Sequence, residues 1–453
     1  MNVQPQLPDR GSGFLFNVNV VFLSQIAIYG LAFLLRIVLA QGLGDDGLGT
    51  YSLFFLAVLV AGGVANLGVG LGNIYFLNKG THDYSTLLSG SLFVLGVTAI
   101  TGWLFLLLYG VAFDADLFVS GRSYWMYAGA LPAIVAYVLL TSFLHGESRF
   151  FALSSVAIVQ GIVGVGIVGA FWVFDELDVF WAVTGWAISF TVADVLCLAL
   201  IGPRNINLAT LLRPKWKVLG DQIRYGAQGQ VANLAQLFNY RLDQFLVAAF
   251  VSRAGVGHYT VAVGVAESVW WISSSVAMVL LPRLTSMEKE RAEELTPLIS
   301  RNTLLVSVFA AIGLSAIAPF VVPLLFGGEF DEAVLPLILL MPGIIAASAT
   351  RVLGTYFFSQ GRIILNTYVT FIALGVTLAL DFLFIPWLEV EGAAIASSIA
   401  YVTSLVATLY WYRKVSGRSP LEALVVRPSD VHFYIDVWQK IRNRNSAAAD
   451  DAG

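Results

Sequence analysis

The chain has 453 residues, of which 58% are apolar and only 12% charged, with a mean hydropathy of +0.80 and a net charge of −4. Soluble globular chains carry about 25% charged residues, so this composition argues for a polytopic membrane protein and against a soluble enzyme. The acidic balance offers nothing to a nucleic acid, and the lone Cys197 excludes an internal disulfide and a Cys-based metal site.

A membrane-crossing helix needs roughly 20 mostly apolar residues. Twelve stretches meet that length: 14–39, 51–74, 86–109, 124–144, 151–174, 180–201, 226–250, 257–281, 303–326, 336–359, 363–386 and 393–412. Residues 1–13 are polar, and the apolar run after them is too long for the core of a cleaved signal peptide, so it reads as an uncleaved first span. Lys and Arg set the orientation. With the N-terminus on the cytoplasmic side, 20 of the 25 basic residues fall on inner segments and two, Arg122 and Arg253, on outer loops. The remaining three, Arg36, Arg241 and Arg351, lie inside spans. Both termini are therefore expected in the cytoplasm of a multi-pass inner-membrane protein.

The chain repeats itself. Gly47-Leu48-Gly49-Thr50-Tyr51 follows span 1, and Gly255-Val256-Gly257-His258-Tyr259 follows span 7, an offset of 208 residues. A second echo pairs Phe143-Leu144-His145-Gly146 with Phe358-Ser359-Gln360-Gly361. Six crossings return the chain to the same side, so two six-helix halves run in parallel, an arrangement that transporters use to hold a substrate between them. The expected architecture is all-α: about twelve transmembrane helices in two parallel bundles around a central cavity. Residues 1–201 form the first half, 202–225 a basic linker, 226–412 the second half, and 413–453 a cytoplasmic tail. Val431, Tyr434, Ile435, Trp438 and Ile441 of the tail recur at helical spacing beside Lys440, Arg442 and Arg444, which predicts an amphipathic helix on the inner leaflet.

Charges inside spans are costly and mark function. Span 7 is the most polar. At about 100° per residue, Asn233, Gln236, Asn239, Tyr240 and Asp243 share an arc of roughly 120°, and Val231, Leu234, Ala235, Phe238, Leu242 and Phe245 form an apolar arc opposite. Arg241 lies about 160° from Asp243, so these two should not pair with each other. A hydrated translocation cavity and a buried network that ties helices together both fit this face. Arg351 sits among small residues in the middle of span 10. It fits either an anion-binding guanidinium or a partner for Asp243 or Glu267. Glu267 lies halfway into span 8, ahead of Trp270-Trp271 and Ser273-Ser274-Ser275, and the Trp pair reads first as packing. Arg36, Asp194 and Asp381 lie nearer span ends.

Other patterns resemble sites without supporting one. Gly68-Val69-Gly70-Leu71-Gly72 lies within a span with no strand before it, so its glycines serve helix packing and not a nucleotide. Asp114-Ala115-Asp116 has no catalytic domain around it, and the four histidines are scattered. No phosphate-binding loop is present, so ATP is not expected as a direct energy source, and neither a metal nor a cofactor is expected.

Three stretches carry a family resemblance: LRIVLAQGLGDDGLGTYSL at 35–53, FLHGESRF at 143–150 and NYRLDQFLVAAFVSRAGVGHYTVA at 239–262. Over residues 14–412 the chain resembles the polysaccharide biosynthesis flippases. These are the Wzx-type O-antigen and exopolysaccharide exporters of the MOP superfamily, which also holds the MATE drug exporters and the lipid II flippases. The resemblance implies a non-enzymatic flippase that moves a lipid-linked oligosaccharide, on a polyprenyl phosphate or pyrophosphate, from the inner to the outer leaflet by alternating access. It also implies an ion gradient as driving force. Its partners would be that lipid, the surrounding membrane lipids, and glycan polymerases or glycosyltransferases. On this reading Arg36, Arg241, Arg351, Asn233, Gln236, Asn239 and Tyr240 bind substrate, and Asp243 and Glu267 couple an ion or gate. A MATE-like small-molecule exporter and a membrane glycan polymerase or ligase are the alternatives. The first predicts an acid-dominated cavity and the second a large outer loop.

Overall fold

The computed structural model describes residues 12–112, 124–202, 214–428 and 430. Among these there is no strand. Helices α1 (Ser12–Ala65), α2 (Val69–Lys79), α3 (Tyr84–Ala112), α4 (Tyr124–Gly146), α5 (Phe150–Val173) and α6 (Val179–Ile201) come first. They are followed by α7 (Trp216–Phe250), α8 (Arg253–Ala266), α9 (Trp270–Ser286), α10 (Lys289–Phe326), α11 (Val334–Ser359), α12 (Ile364–Ser416) and the short α13 (Pro420–Leu424).

Nine of the described helical stretches are long and apolar enough to cross a membrane. Two of them, Leu23–Ala65 and Ile364–Ser416, have 43 and 53 residues; the second holds expected spans 11 and 12, and the first holds span 1 from Leu23 with the start of span 2, which breaks at Asn66–Gly68 and resumes in α2. Inside these two stretches the breaks are single residues, Gly44 at φ +69° in α1 and Glu389 at φ +51° in α12. Glycine takes the left-handed region freely; Glu389 does so at a cost, in a turn that follows Pro386. With α7, which is too polar to count by hydropathy, these stretches account for the twelve expected spans. Expected span 8 is interrupted: a 3-10 turn over Glu267–Val269 separates α8 from α9. Helix α7 begins at Trp216, inside the stretch expected as linker. The expected tail helix and Asp114-Ala115-Asp116 lie outside the described residues, apart from Asp430.

Helix ends follow local chemistry. Asp178 caps α6, its Oδ1 accepting from the Trp181 N–H at 2.8 Å, a bond that satisfies one of the free donors of the first turn. Helix α2 ends at Gly80, φ +63°.

The chain forms two compact units. The first comprises Met1–Val265, Ile317–Leu339 and Leu374–Ser397. Leu87, Leu140, Phe143, Leu144, Val156 and Cys197 pack in its core, so Cys197 is a packing residue. The second comprises Ala266–Ala316, Leu340–Ala373 and Ser398–Gly453, with Leu280, Leu284, Val352, Tyr356, Phe357 and Tyr412 at its centre. Large apolar side chains also face outward: Phe309, Phe320 and Leu324 of α10 are each more than two-thirds exposed. That arrangement suits a hydrocarbon surrounding, in which backbone groups must bond within their own helix.

The two Gly-x-Gly-x-Tyr copies meet inside the first unit. A Cβ on Gly49 would run into the Arg253 carbonyl oxygen, and a Cβ on Gly257 into that of Asp45. The contact is reciprocal, since 45 and 253 are themselves separated by the 208-residue offset. The second glycine of each copy therefore admits the backbone of the other copy, a demand beyond the needs of a turn. The second echo lacks this likeness: Phe143 is fully buried, whereas Phe358 is exposed beside a buried Phe357.

Candidate functional site

Helix α7 distributes its polar residues unequally. Asn233 is exposed, Gln236 and Tyr240 are half-buried, and Asn239 and Asp243 are buried. The buried pair lies one turn apart and meets α12. Asn239 Oδ1 accepts from Thr377 Oγ1 at 3.1 Å. Asp243 Oδ2 accepts from the Tyr259 hydroxyl at 2.6 Å and from Ser397 Oγ at 3.0 Å, and its Oδ1 takes the Gln244 N–H at 2.8 Å. Asp381 follows Thr377 by one turn, as Asp243 follows Asn239. It is fully buried, neither of its oxygens has a hydrogen-bond partner, and the charge of Asp243 acts on it. A buried carboxylate without donors needs a proton or a cation. Sequence reasoning set Asp381 aside as near a span end, and it missed Tyr259, Thr377 and Ser397. The Tyr of the Gly-x-Gly-x-Tyr motif was the available signal.

Arg241 projects elsewhere. It lines a cavity of about 290 Å³ inside the first unit, together with Arg36 of α1. Helices α1, α5, α6, α7 and α8 form its walls. The guanidinium of Arg36 lies across α8 at Gly264, where a side chain would collide with it. Tyr51 and Ser52 lie on the same wall, and the charge of Arg36 acts on Tyr51. No carboxylate is among the described residues that line the space. Arg36 and Arg241 thus place two permanently charged guanidiniums in one wall of low polarity, and the charge of Arg241 also acts on Asp243. Arg241 also donates to the Tyr240 carbonyl at 3.2 Å.

Arg351 and Glu267 belong to the second unit. Arg351 Nη1 donates to Ser274 Oγ, and the guanidinium sits over the Trp270 ring at 5.0 Å from its centroid. Trp270 is buried against Tyr401. It therefore packs, as expected, and also seats a cation. Glu267 is half-buried at the start of the 3-10 turn. Of the sequence-derived residues, the structure brings Arg36 together with Arg241, and Asn239 with Asp243.

One cluster was not foreseen. His258 is buried in α8 with Nδ1 3.2 Å from Glu332 Oε2 and Nε2 3.2 Å from Asp45 Oδ2, the latter off the hydrogen-bond direction. Among the described residues no group of three His, Cys, Asp or Glu side chains is placed to hold a metal.

The sequence model of the family described as "Lipid II flippase MurJ" matches residues 82–427, more than half of the chain. The chain belongs to the MurJ flippase family. A curated relative, the probable low-salt glycan biosynthesis flippase Agl15 of Haloferax volcanii, is 23% identical over 280 residues, 59% of this chain and 56% of Agl15. The chain spans 37% and 56% of the length of the two curated relatives it matches. Among solved structures, an inward-facing MATE-family multidrug resistance transporter of the MOP superfamily superposes with a TM-score of 0.71 at 15% identity, covering 86% of this chain and 94% of that one. Lipid II flippase MurJ in an inward closed conformation superposes with a TM-score of 0.66 at 14% identity, covering 86% and 87%. These structures share the all-helical fold expected from the spans, of the MOP type that the family resemblance implies. The MurJ match extends across most of both expected halves.

Proposed function

We propose that this MurJ-family protein is a flippase for a lipid-linked oligosaccharide, carried on a polyprenyl phosphate or pyrophosphate. The observation that carries the reading is the cavity shared by Arg36 and Arg241. Guanidiniums bind phosphate oxygens in pairs and stay charged at any physiological pH. The anionic head enters from the cytoplasmic leaflet and leaves to the outer one, while the lipid tail stays in the bilayer. The halves 1–201 and 226–412, joined by 202–225, alternate in access, and the 413–453 tail remains cytoplasmic with the N-terminus, as the excess of inner Lys and Arg supports. No covalent chemistry is involved. Arg351 provides a second anion contact, and Gln236 and Tyr240, with the exposed Asn233, meet sugar hydroxyls along the route.

Asp243, with Asp381 beside it, binds the coupling cation; Glu267 serves as a gate. Asn239, Thr377, Ser397 and Tyr259 surround this acid pair with oxygen groups, which suit a proton or a hard cation. In cells, Arg36→Ala and Arg241→Ala are expected to preserve protein level while surface glycan falls and lipid-linked precursor accumulates. Unchanged glycan output in both variants would refute the phosphate role.

A further inference from the structure

Thr50 and His258 hold the same place in the two copies of the repeat, as do Asp45 and Arg253, yet the copies use them differently. Thr50 Oγ1 donates back to the Asp46 carbonyl of its own helix at 2.9 Å. His258 reaches out of its helix instead. The close approach of Gly257 to the Asp45 backbone seats the buried imidazole between two carboxylates of other elements. Asp45, at the break in α1, places Oδ2 3.2 Å from Nε2, and Glu332, in the 3-10 turn Gly328–Ala333 before α11, places Oε2 3.2 Å from Nδ1. Asp45 Oδ1 accepts from the Asp46 N–H at 2.7 Å, which fixes the carboxylate in place. Phe330 of the same turn meets the imidazole edge-on, with centroids 5.9 Å apart.

A neutral imidazole carries one N–H and one lone pair. Between two carboxylates, one of its nitrogens would turn a lone pair toward an anionic oxygen. Only the imidazolium is attracted on both sides, and the Nε2 contact, being off the hydrogen-bond direction, depends on that charge alone. The neighbouring groups favour the cation further. Asp46 lies on α1, and Asp331 and Glu329 lie in the turn, with the Glu329 carboxylate against Gly44. Glu389 and Glu391 flank Val390 of α12, which packs on Gly255. Arg253, at the start of α8, is the opposing cation.

We propose that His258 is a proton-operated latch on the face that the basic residues assign to the outside. Protonated, it ties the end of α1 at Gly44 to α8 and to the turn before α11; neutral, it lets them part. Histidine changes charge between about pH 5 and 8, so the tie is complete at the acid end of that range and is lost as pH rises. Acidification outside therefore holds this face shut. The latch belongs to the fold and stands apart from what the protein carries.

The test is a double-mutant cycle of His258→Gln and Asp45→Asn in the purified full chain in detergent, read by unfolding at pH 5.5 and pH 8. Asp45→Asn keeps the acceptor for the Asp46 N–H, and the cycle cancels groups that titrate independently of the pair. The coupling is expected to change the unfolding constant by about 3- to 10-fold at pH 5.5 and to fall toward unity at pH 8. Spin labels at Phe174→Cys and Leu335→Cys, both exposed, in a Cys197→Ser background, report the movement. Wild type should gain a longer distance between pH 5.5 and pH 8, and His258→Gln should show it at both. Equal coupling at the two pH values overturns the latch. So does a label distance that ignores pH in wild type, or that responds to pH alike in His258→Gln.

Discussion

Replacing Gly49 or Gly257 by alanine tests whether the repeated motif exists for the reciprocal contact. The ordinary effect of Gly→Ala within a helix is a gain of about 0.5–1 kcal/mol, because alanine loses less backbone freedom on folding. At Gly49 the added Cβ would lie 2.7 Å from the Arg253 carbonyl carbon and 3.1 Å from the Gly257 nitrogen, besides striking the Arg253 oxygen. At Gly257 it would lie 2.9 Å from the Asp45 carbonyl carbon. Ordinary contacts run from 3.4 to 4 Å, and the obstacle is backbone on both sides, so the turns must part by roughly 0.5–1 Å or more. Overpacking of this kind costs about 1–3 kcal/mol. Set against the helix gain, each variant is expected to lose about 1–2 kcal/mol. The double variant should lose less than the two single losses together, since the first alanine already separates the turns. Gly166 of α5 has nothing within 4 Å of its ideal Cβ, and Gly166→Ala is the control that should gain stability. The assay is equilibrium unfolding in mixed micelles with a denaturing detergent. If Gly49→Ala and Gly257→Ala stabilise the protein as Gly166→Ala does, the close approach of the two copies is not what the glycines serve.

Other consequences concern the buried charges. Arg301 holds Asp430 through Nε at 2.6 Å and through Nη2, and its Nη1 donates to the Glu422 carbonyl at 3.0 Å. Both partners are buried, so Asp430→Ala should cost about 3–5 kcal/mol by leaving the guanidinium unpaired, and Arg301→Met with Asp430→Leu should recover much of it. The hydrogen bonds from Arg301 hold the Asp430 carboxyl below the usual range. A depressed carboxylate contributes stability that is present above its unfolded value of about 3.9 and fades as pH falls through the lower folded value. Melting of wild type minus Asp430→Ala should therefore be flat from pH 8 to about 5 and shrink below about 4. Tyr259→Phe removes the donor to Asp243 and should cost about 1–3 kcal/mol in the same unfolding assay. Asp381→Asn should abolish the dependence of transport on the imposed cation gradient in vesicles; full retention of that dependence would remove Asp381 from the coupling site.

Much of the fold was legible because a bilayer leaves a helix few options: eleven spans announce themselves by apolar length, and α7 by being too polar for lipid. The angular separation of Arg241 from Asp243 was also readable, since it follows from helix geometry within one segment. The structure sends one to the cavity with Arg36 and the other to Tyr259 and Ser397. What one chain position cannot announce is which distant segment it faces. Asp381 lay in an apolar run, and nothing in that run announces that the charge of Asp243 acts on it. Equally, Asn233 and Asn239 shared an arc in the sequence, yet one is exposed and the other buried against Thr377, because the partner helix covers only part of that face.

The central claim is that this protein moves a phosphate-anchored glycan lipid across the bilayer through the site of Arg36 and Arg241. The direct measurement reconstitutes the full chain in vesicles that carry a polyprenyl-phosphate-linked sugar and follows its exposure to an impermeant sugar oxidant added outside. Wild type should expose the inner pool over time, and Arg36→Ala with Arg241→Ala should slow that exposure to the rate of protein-free vesicles. Exposure at the wild-type rate in the double variant, or none above the protein-free rate with wild type, would contradict the account.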